Sequence, residues 1–215
     1  MIKAVLFDFD GTVADTLVLC IEAFKNAVES FTQNRLTDQE IIASFGPSEE
    51  GSMQLFLPTN SEQGVDAYIR EYKALHYICP DMFPGMKELL QFLKEKNIFL
   101  GLVTGKGPRS CEVSLKYYGI ETFFDWVETG SPLGPCKPEG IRRFLNHFHL
   151  TPQESVYIGD APSDITASRE VGIPVISVGW ASTANPIDLK KMSPDALCMT
   201  ISDLKKLLCD WLKLE

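Results

Sequence analysis

Short, almost continuously apolar runs alternate with amphipathic stretches along most of this 215-residue chain. The runs are Ala4 to Phe9, Ile98 to Val103, Trp126 to Glu128, Val156 to Ile158 and Val175 to Val178, with a weaker one at Ala196 to Met199. Most lack the polar alternation of a half-exposed strand and read as strands buried on both faces. Between them, apolar residues at helical spacing predict helices over Met86 to Glu95, Arg109 to Tyr118, Glu139 to Phe148, Asp164 to Val171 and Ser202 to Leu212. Gly119 and Gly172 follow the last periodic residue of two of these, where helices commonly end. The alternation predicts an α/β fold with a Rossmann-like parallel sheet and helices on both of its faces.

One stretch breaks the rhythm. From Thr16 to about Ile78 every periodic signal is helical. The first helix puts Leu17, Ile21, Phe24, Val28 and Phe31 on one face, at spacings of four, three, four and three. Thr37-Asp38-Gln39-Glu40 is a capping-box pattern that opens a second helix, stopped by Gly46. Further helices are expected around Gly51 to Phe56 and Val65 to Leu75, on either side of the breaker-rich Leu57-Pro58-Thr59-Asn60-Ser61. The chain therefore divides into a sheet-forming core, residues 1–14 and 80–215, and an inserted all-helical domain, residues 15–79.

Composition changes this picture little. An apolar content of 45% with 23% charged residues is that of an ordinary soluble globular protein. A net charge of −9 argues against nucleic acid as a partner, because phosphate backbones are held by clustered Lys and Arg. The six cysteines form no CxxC pair, and Cys20, Cys111 and Cys198 sit in apolar-periodic stretches, so they read as reduced, buried thiols. No signal-peptide pattern and no apolar run of membrane-spanning length is seen, so no membrane role and a cytoplasmic location are expected.

The candidate chemistry lies at strand ends. Asp8-Phe9-Asp10-Gly11-Thr12-Val13-Ala14-Asp15-Thr16 begins where the first strand finishes, and open parallel sheets place their ligand crevice at such ends. Two carboxylates two residues apart leave a strand toward the same side. Thr104-Gly105-Lys106 ends the second strand, Cys136-Lys137-Pro138-Glu139 opens a helix, and Gly159-Asp160-Ala161-Pro162-Ser163-Asp164 follows the fourth strand. Each has an ordinary reading by itself: a solvated turn, a loop threonine, a surface lysine, a helix N-cap at Asp164. Together, acidic side chains gathered at one sheet end require a cation among them, and Mg2+ is the hard, oxygen-preferring ion that suits few carboxylates.

The four stations, in this order, resemble the motifs of the haloacid dehalogenase superfamily, whose phosphatase members read DxDGT, a hydroxyl residue after the second strand, KP, and GDxxxD. The resemblance is nearest to the phosphoglycolate phosphatase-like branch, with Leu115 to Asp125 (LKYYGIETFFD) also having close counterparts there. It implies a small phosphorylated metabolite as substrate and a monomer or homodimer. It further implies Asp8 as nucleophile, Asp10 as general acid and base, Thr104 with the Gly105 backbone as phosphate holders, and Lys137 as the neutralising cation. The implied Mg2+ ligands are Asp8, the backbone carbonyl of Asp10, and Asp160, with Asp164 behind them orienting Lys137 or a metal-bound water. By the same resemblance the helical insertion is a cap that closes over the site, with hinges near Val13 to Thr16 and Ile78 to Pro84. A phosphomutase shares these core motifs, so that reading stays open, as does a non-catalytic phospholigand-binding module. Lys106 is expected at the surface or the substrate rim, His76, His147 and His149 at the surface or half-buried, Tyr68 and Tyr72 in the core of the insertion, and Trp180 in packing. Phe45-Gly46-Pro47-Ser48 resembles a cap loop that reaches substrate in some relatives, but a helix-ending glycine followed by proline reads first as an ordinary turn.

Overall fold

The computed structural model describes residues 2–213. In chain order the elements are β1 (Ala4–Phe7), α1 (Leu17–Thr32), α2 (Asp38–Ala43), α3 (Glu49–Phe56), α4 (Ser61–Leu75), α5 (Met86–Glu95), β2 (Phe99–Val103), α6 (Pro108–Tyr118), β3 (Trp126–Glu128), α7 (Lys137–His147), β4 (Ser155–Gly159), α8 (Pro162–Val171), β5 (Val175–Val178), α9 (Pro186–Lys191), β6 (Ala196–Cys198) and α10 (Ile201–Leu212). The strands form one parallel sheet in the order β3-β2-β1-β4-β5-β6. β1 lies between β2 and β4, so the connections that follow β1 leave the sheet at its switch point, and the C-terminal ends of all three strands open on one crevice.

The continuous apolar runs are explained by two cores. Val5 and Phe7 of β1 pack on one face of the sheet with α5, α6 and α10, while Ala4 and Leu6 pack on the other with α7, α8 and α9. A strand with helices on both sides has no solvent face to leave polar. The insertion holds a third core of its own, in which Leu19, Phe24, Met53, Tyr68 and Tyr72 are buried together. Its second helix opens on the expected capping box, with Thr37 and Glu40 exchanging side-chain and backbone hydrogen bonds.

Differences from the sequence reading are local. The first strand ends at Phe7 rather than Phe9, because the chain turns into the loop in which Gly11 N bonds Ala14 O at 2.8 Å. α9 was not expected; its six residues have Asn185 as N-cap and Pro186 at the first position, too short a span for a periodic signal. Phe31, placed on the buried face of α1, is 39% exposed, since the helix runs beyond the body it packs on. His76 is 1% exposed and not at the surface: its Nε2 meets Ser114 Oγ at 3.2 Å and its ring stacks on Tyr117 with 3.8 Å between centroids. His147 and His149 are exposed.

Candidate active site

Asp8 is the first residue past β1, buried, its backbone N–H bonded to Ile158 O at 2.9 Å. Its Oδ1 accepts the Phe9 N–H at 2.7 Å and its Oδ2 accepts Lys137 Nζ at 2.7 Å. Lys137 is the first residue of α7, and Pro138, which has no N–H to leave unpaired, follows in that first turn. The same ammonium donates to Asp164 Oδ1, while Asp164 Oδ2 takes the Ala161 N–H at 2.9 Å at the start of α8. Asp164 thus ties the lysine to the helix terminus that follows β4.

Asp160 completes the acidic group. Carboxylate oxygens of Asp8, Asp160 and Asp164 lie within 4.8 Å of one another. Thr12 donates to Asp160 Oδ1 at 2.9 Å, which pins the first loop against the fourth strand. Burial, opposed by Lys137 and reinforced by Asp164, pushes the Asp8 carboxyl up to about 6. Burial and then the charges of Asp8 and Asp164 push Asp160 up to about 8. Burial works against the charge on Lys137, yet Asp164 and Asp8 hold it well above the ordinary lysine range. One ammonium does not balance three carboxylates, and the surplus negative charge on oxygen donors fits a hard divalent cation.

The loop can come this close only because residue 11 is glycine. Gly11 has φ +80°, and a Cβ there would stand 2.2 Å from Asp160 Oδ2. Gly11→Ala is therefore expected to destabilise the fold by about 1–3 kcal/mol, from a strained backbone and a displaced carboxylate. Its midpoint in urea checks this, and a midpoint equal to the parent's would show that the loop yields freely.

Asp10 faces a different lysine. Its Oδ1 accepts Thr16 Oγ1 and, at 3.1 Å, Lys106 Nζ. The Lys106 side chain is 0% exposed, a correction to the expectation of a surface or rim residue. Its ammonium lies 3.3 Å from Cys20 Sγ, 4.0 Å from Glu49 Oε1 and 4.5 Å over the Tyr72 ring. Burial opposes the charge, but Asp10 and its neighbours keep Lys106 well above the ordinary lysine range. The same burial, with Asp10, pushes the Cys20 thiol up to about 12, which leaves it an inert packing group.

Glu49, the first residue of α3, was not singled out by the sequence. It accepts the Gly107 N–H, the Ser110 hydroxyl and, at 3.2 Å, the Tyr68 hydroxyl. The first two partners lie at the start of α6 and the third is in α4, so one carboxylate fastens the insertion to the core. Tyr72 OH meets Ser114 Oγ at 2.8 Å on the same seam. Tyr68 and Tyr72 are buried as expected, although Tyr68 also borders the cavity.

Thr104 is buried at the end of β2, its N–H bonded to Glu128 O at 3.0 Å and its Oγ1 accepting the Lys106 N–H at 3.3 Å. Thr104, Gly105, Lys137, Asp8, Asp10 and Asp160 all line one cavity of about 710 Å³ between the sheet end and the insertion. Phe45, Gly46 and Pro47 border it as well, while Trp180 packs on Phe83 and donates to Thr12 O at 3.1 Å, away from the lining.

Comparisons with known proteins identify the family. The family model described as haloacid dehalogenase-like hydrolase matches residues 5–178. A pyrophosphatase PpaX of Anoxybacillus flavithermus is 28% identical, over 96% of this chain and 97% of its own. The structure of a haloacid dehalogenase-like family hydrolase from Streptococcus pneumoniae superposes with a TM-score of 0.77 at 27% identity, covering 96% of this chain and 98% of that one. A predicted phosphoglycolate phosphatase from Haemophilus somnus, 20% identical over 96% of this chain and 97% of its own, shares the fold with a TM-score of 0.76. With the four stations gathered at one sheet end and the family model spanning them, the chain belongs to the haloacid dehalogenase-like hydrolases.

Proposed function

We propose that this hydrolase is a Mg2+-dependent phosphatase that cleaves a small phosphorylated metabolite through a phosphoryl group held on Asp8. The observation that carries the reading is the pairing of a buried Asp8 carboxylate with Lys137 at 2.7 Å, at the floor of a cavity large enough for a metabolite. The names of relatives, a pyrophosphatase among them, support phosphoryl chemistry.

Residues of the chain account for each step. Asp8 attacks phosphorus in line with the ester oxygen, forming the Asp8–phosphorus bond as the ester bond breaks. Lys137 offsets the repulsion between that carboxylate and the incoming phosphate, and Thr104 with the Gly105 N–H holds a phosphate oxygen in place. Asp10 gives a proton to the departing alkoxide, then takes one from the water that hydrolyses the aspartyl phosphate. The helical insertion acts as the cap, keeping bulk water out during the first transfer. Asp8, the Asp10 carbonyl and Asp160 would hold Mg2+, with Asp164 behind them. When bound, the ion supplies positive charge against the phosphate oxygens.

The raised carboxyls give a test of the metal site. For Asp8 and Asp160 the folded state binds protons more tightly than the unfolded chain, whose carboxyls titrate near 3.8. Stability from this source is complete below that value and is lost as pH rises through about 6 and then about 8. In EDTA the thermal midpoint is expected to fall between pH 5 and 8, and Mg2+ at about 100 times its Kd to restore about 2.7 kcal/mol at the upper end. A midpoint indifferent to Mg2+ at pH 8 would remove the ion from the site.

Function itself is tested by phosphate release from a panel of phosphorylated metabolites with and without Mg2+. Sustained release is the expected result. Activity that appears only with a sugar bisphosphate primer, without net release, would make the protein a phosphomutase instead.

A further inference from the structure

We propose that the alcohol part of the substrate carries no anionic group and is largely apolar, so that the transferred phosphate is the only anionic group the enzyme accepts. This deepens the phosphatase reading and rests on it.

The wall that faces the leaving group comes from the insertion. Leu17, Phe24, Phe45, Pro47 and Tyr68 supply most of it. Among the described residues from the insertion that line the cavity, Glu49 alone is charged. Its charge repels an anionic ligand, and Gly107, Ser110 and Tyr68 hold it in place beside that wall.

The lining cations are equally committed. Among the described residues around the cavity only Lys106 and Lys137 are basic. Lys137 is held by Asp8 and Asp164, and Lys106 by Asp10 with Glu49 beside it. The Lys106 side chain has no exposed surface to offer. A carboxylate or second phosphate on the leaving group would therefore lie against hydrocarbon and Glu49 with no partner, and burying an unpaired charge is strongly unfavourable. An uncharged chain or ring gains by covering the same wall.

The test uses the full chain with Mg2+ and measures phosphate release from pentyl phosphate and its ω-carboxylate, whose ester oxygens have similar leaving ability. Pyrophosphate is measured alongside. We expect kcat/KM for pentyl phosphate to exceed each of the other two by about thirtyfold or more. Equal or faster turnover of either anionic compound overturns the proposal and leaves the phosphatase reading standing. No release from any of the three sinks both.

A second variant locates the wall. Phe45 is 41% exposed on the loop before α3, so Phe45→Arg places a cation at the mouth without disturbing a core. It is expected to shift the preference toward the ω-carboxylate by about tenfold. An unchanged ratio in the folded variant would show that the alcohol does not lie along this loop, and would overturn the proposal.

Discussion

Asp8→Asn is expected to lower phosphate release by on the order of 10⁴-fold or more, because the amide cannot form the phosphoryl bond on which the first step depends. The substitution keeps the side chain's size and an oxygen for the Phe9 N–H. It also removes one of three clustered carboxylates, so the repulsion that raises Asp160 is relieved. The variant should therefore unfold at the same temperature as the parent or above it when Mg2+ is absent. Steady-state release with a calorimetric scan separates loss of chemistry from loss of fold. Activity within tenfold of the parent in the folded variant would take the nucleophile away from Asp8.

The second large effect is expected at Lys106. Lys106→Met keeps the length of the aliphatic stem and removes a buried ammonium from between Asp10 and Glu49. Breaking a buried pair from one side costs about 3–5 kcal/mol, and because the Asp10 side chain is 23% exposed the lower end, about 3 kcal/mol, is expected here. Turnover should fall too, since Asp10 loses its partner and the fastening at Glu49 loses a neighbouring charge. The double variant Lys106→Met with Asp10→Asn should recover a large part of the stability, with a coupling of about 1–3 kcal/mol, and none of the activity. Urea midpoints of the four proteins in this cycle decide it. Additive losses would mean that the two side chains do not share one environment.

How far the sequence carried the reading depends on the residue. Asp8, Asp10 and Asp160 were legible because a strand end followed by acidic residues and glycine is a local signal, and the order of the stations did the rest. Lys137 was legible by its place in that order. Lys106 was not: it stands two residues after Thr104, close enough to have been considered, but a lysine after Gly105 looks the same in sequence whether its ammonium points to water or into a seam. Its burial depends on Asp10 from one segment and Glu49 and Tyr72 from another. Glu49 carried no signal at all, because acidic residues in the first turn of a helix are ordinary. His76 was misplaced for a related reason, its cover being Ser114 and Tyr117 from α6.

By itself the sequence determined the alternation that builds a parallel sheet, the helical stretch that interrupts it, and the strand ends that carry the acidic motifs. Those follow from periodicity and short-range turn chemistry, which act within a few residues. Only the tertiary structure decided which lysine meets which carboxylate, that the insertion is fastened through Glu49, and that the cavity wall is apolar. Those pairings join residues up to 129 positions apart, as Lys137 and Asp8 are, and charge and burial at such range are set by packing that no local pattern records.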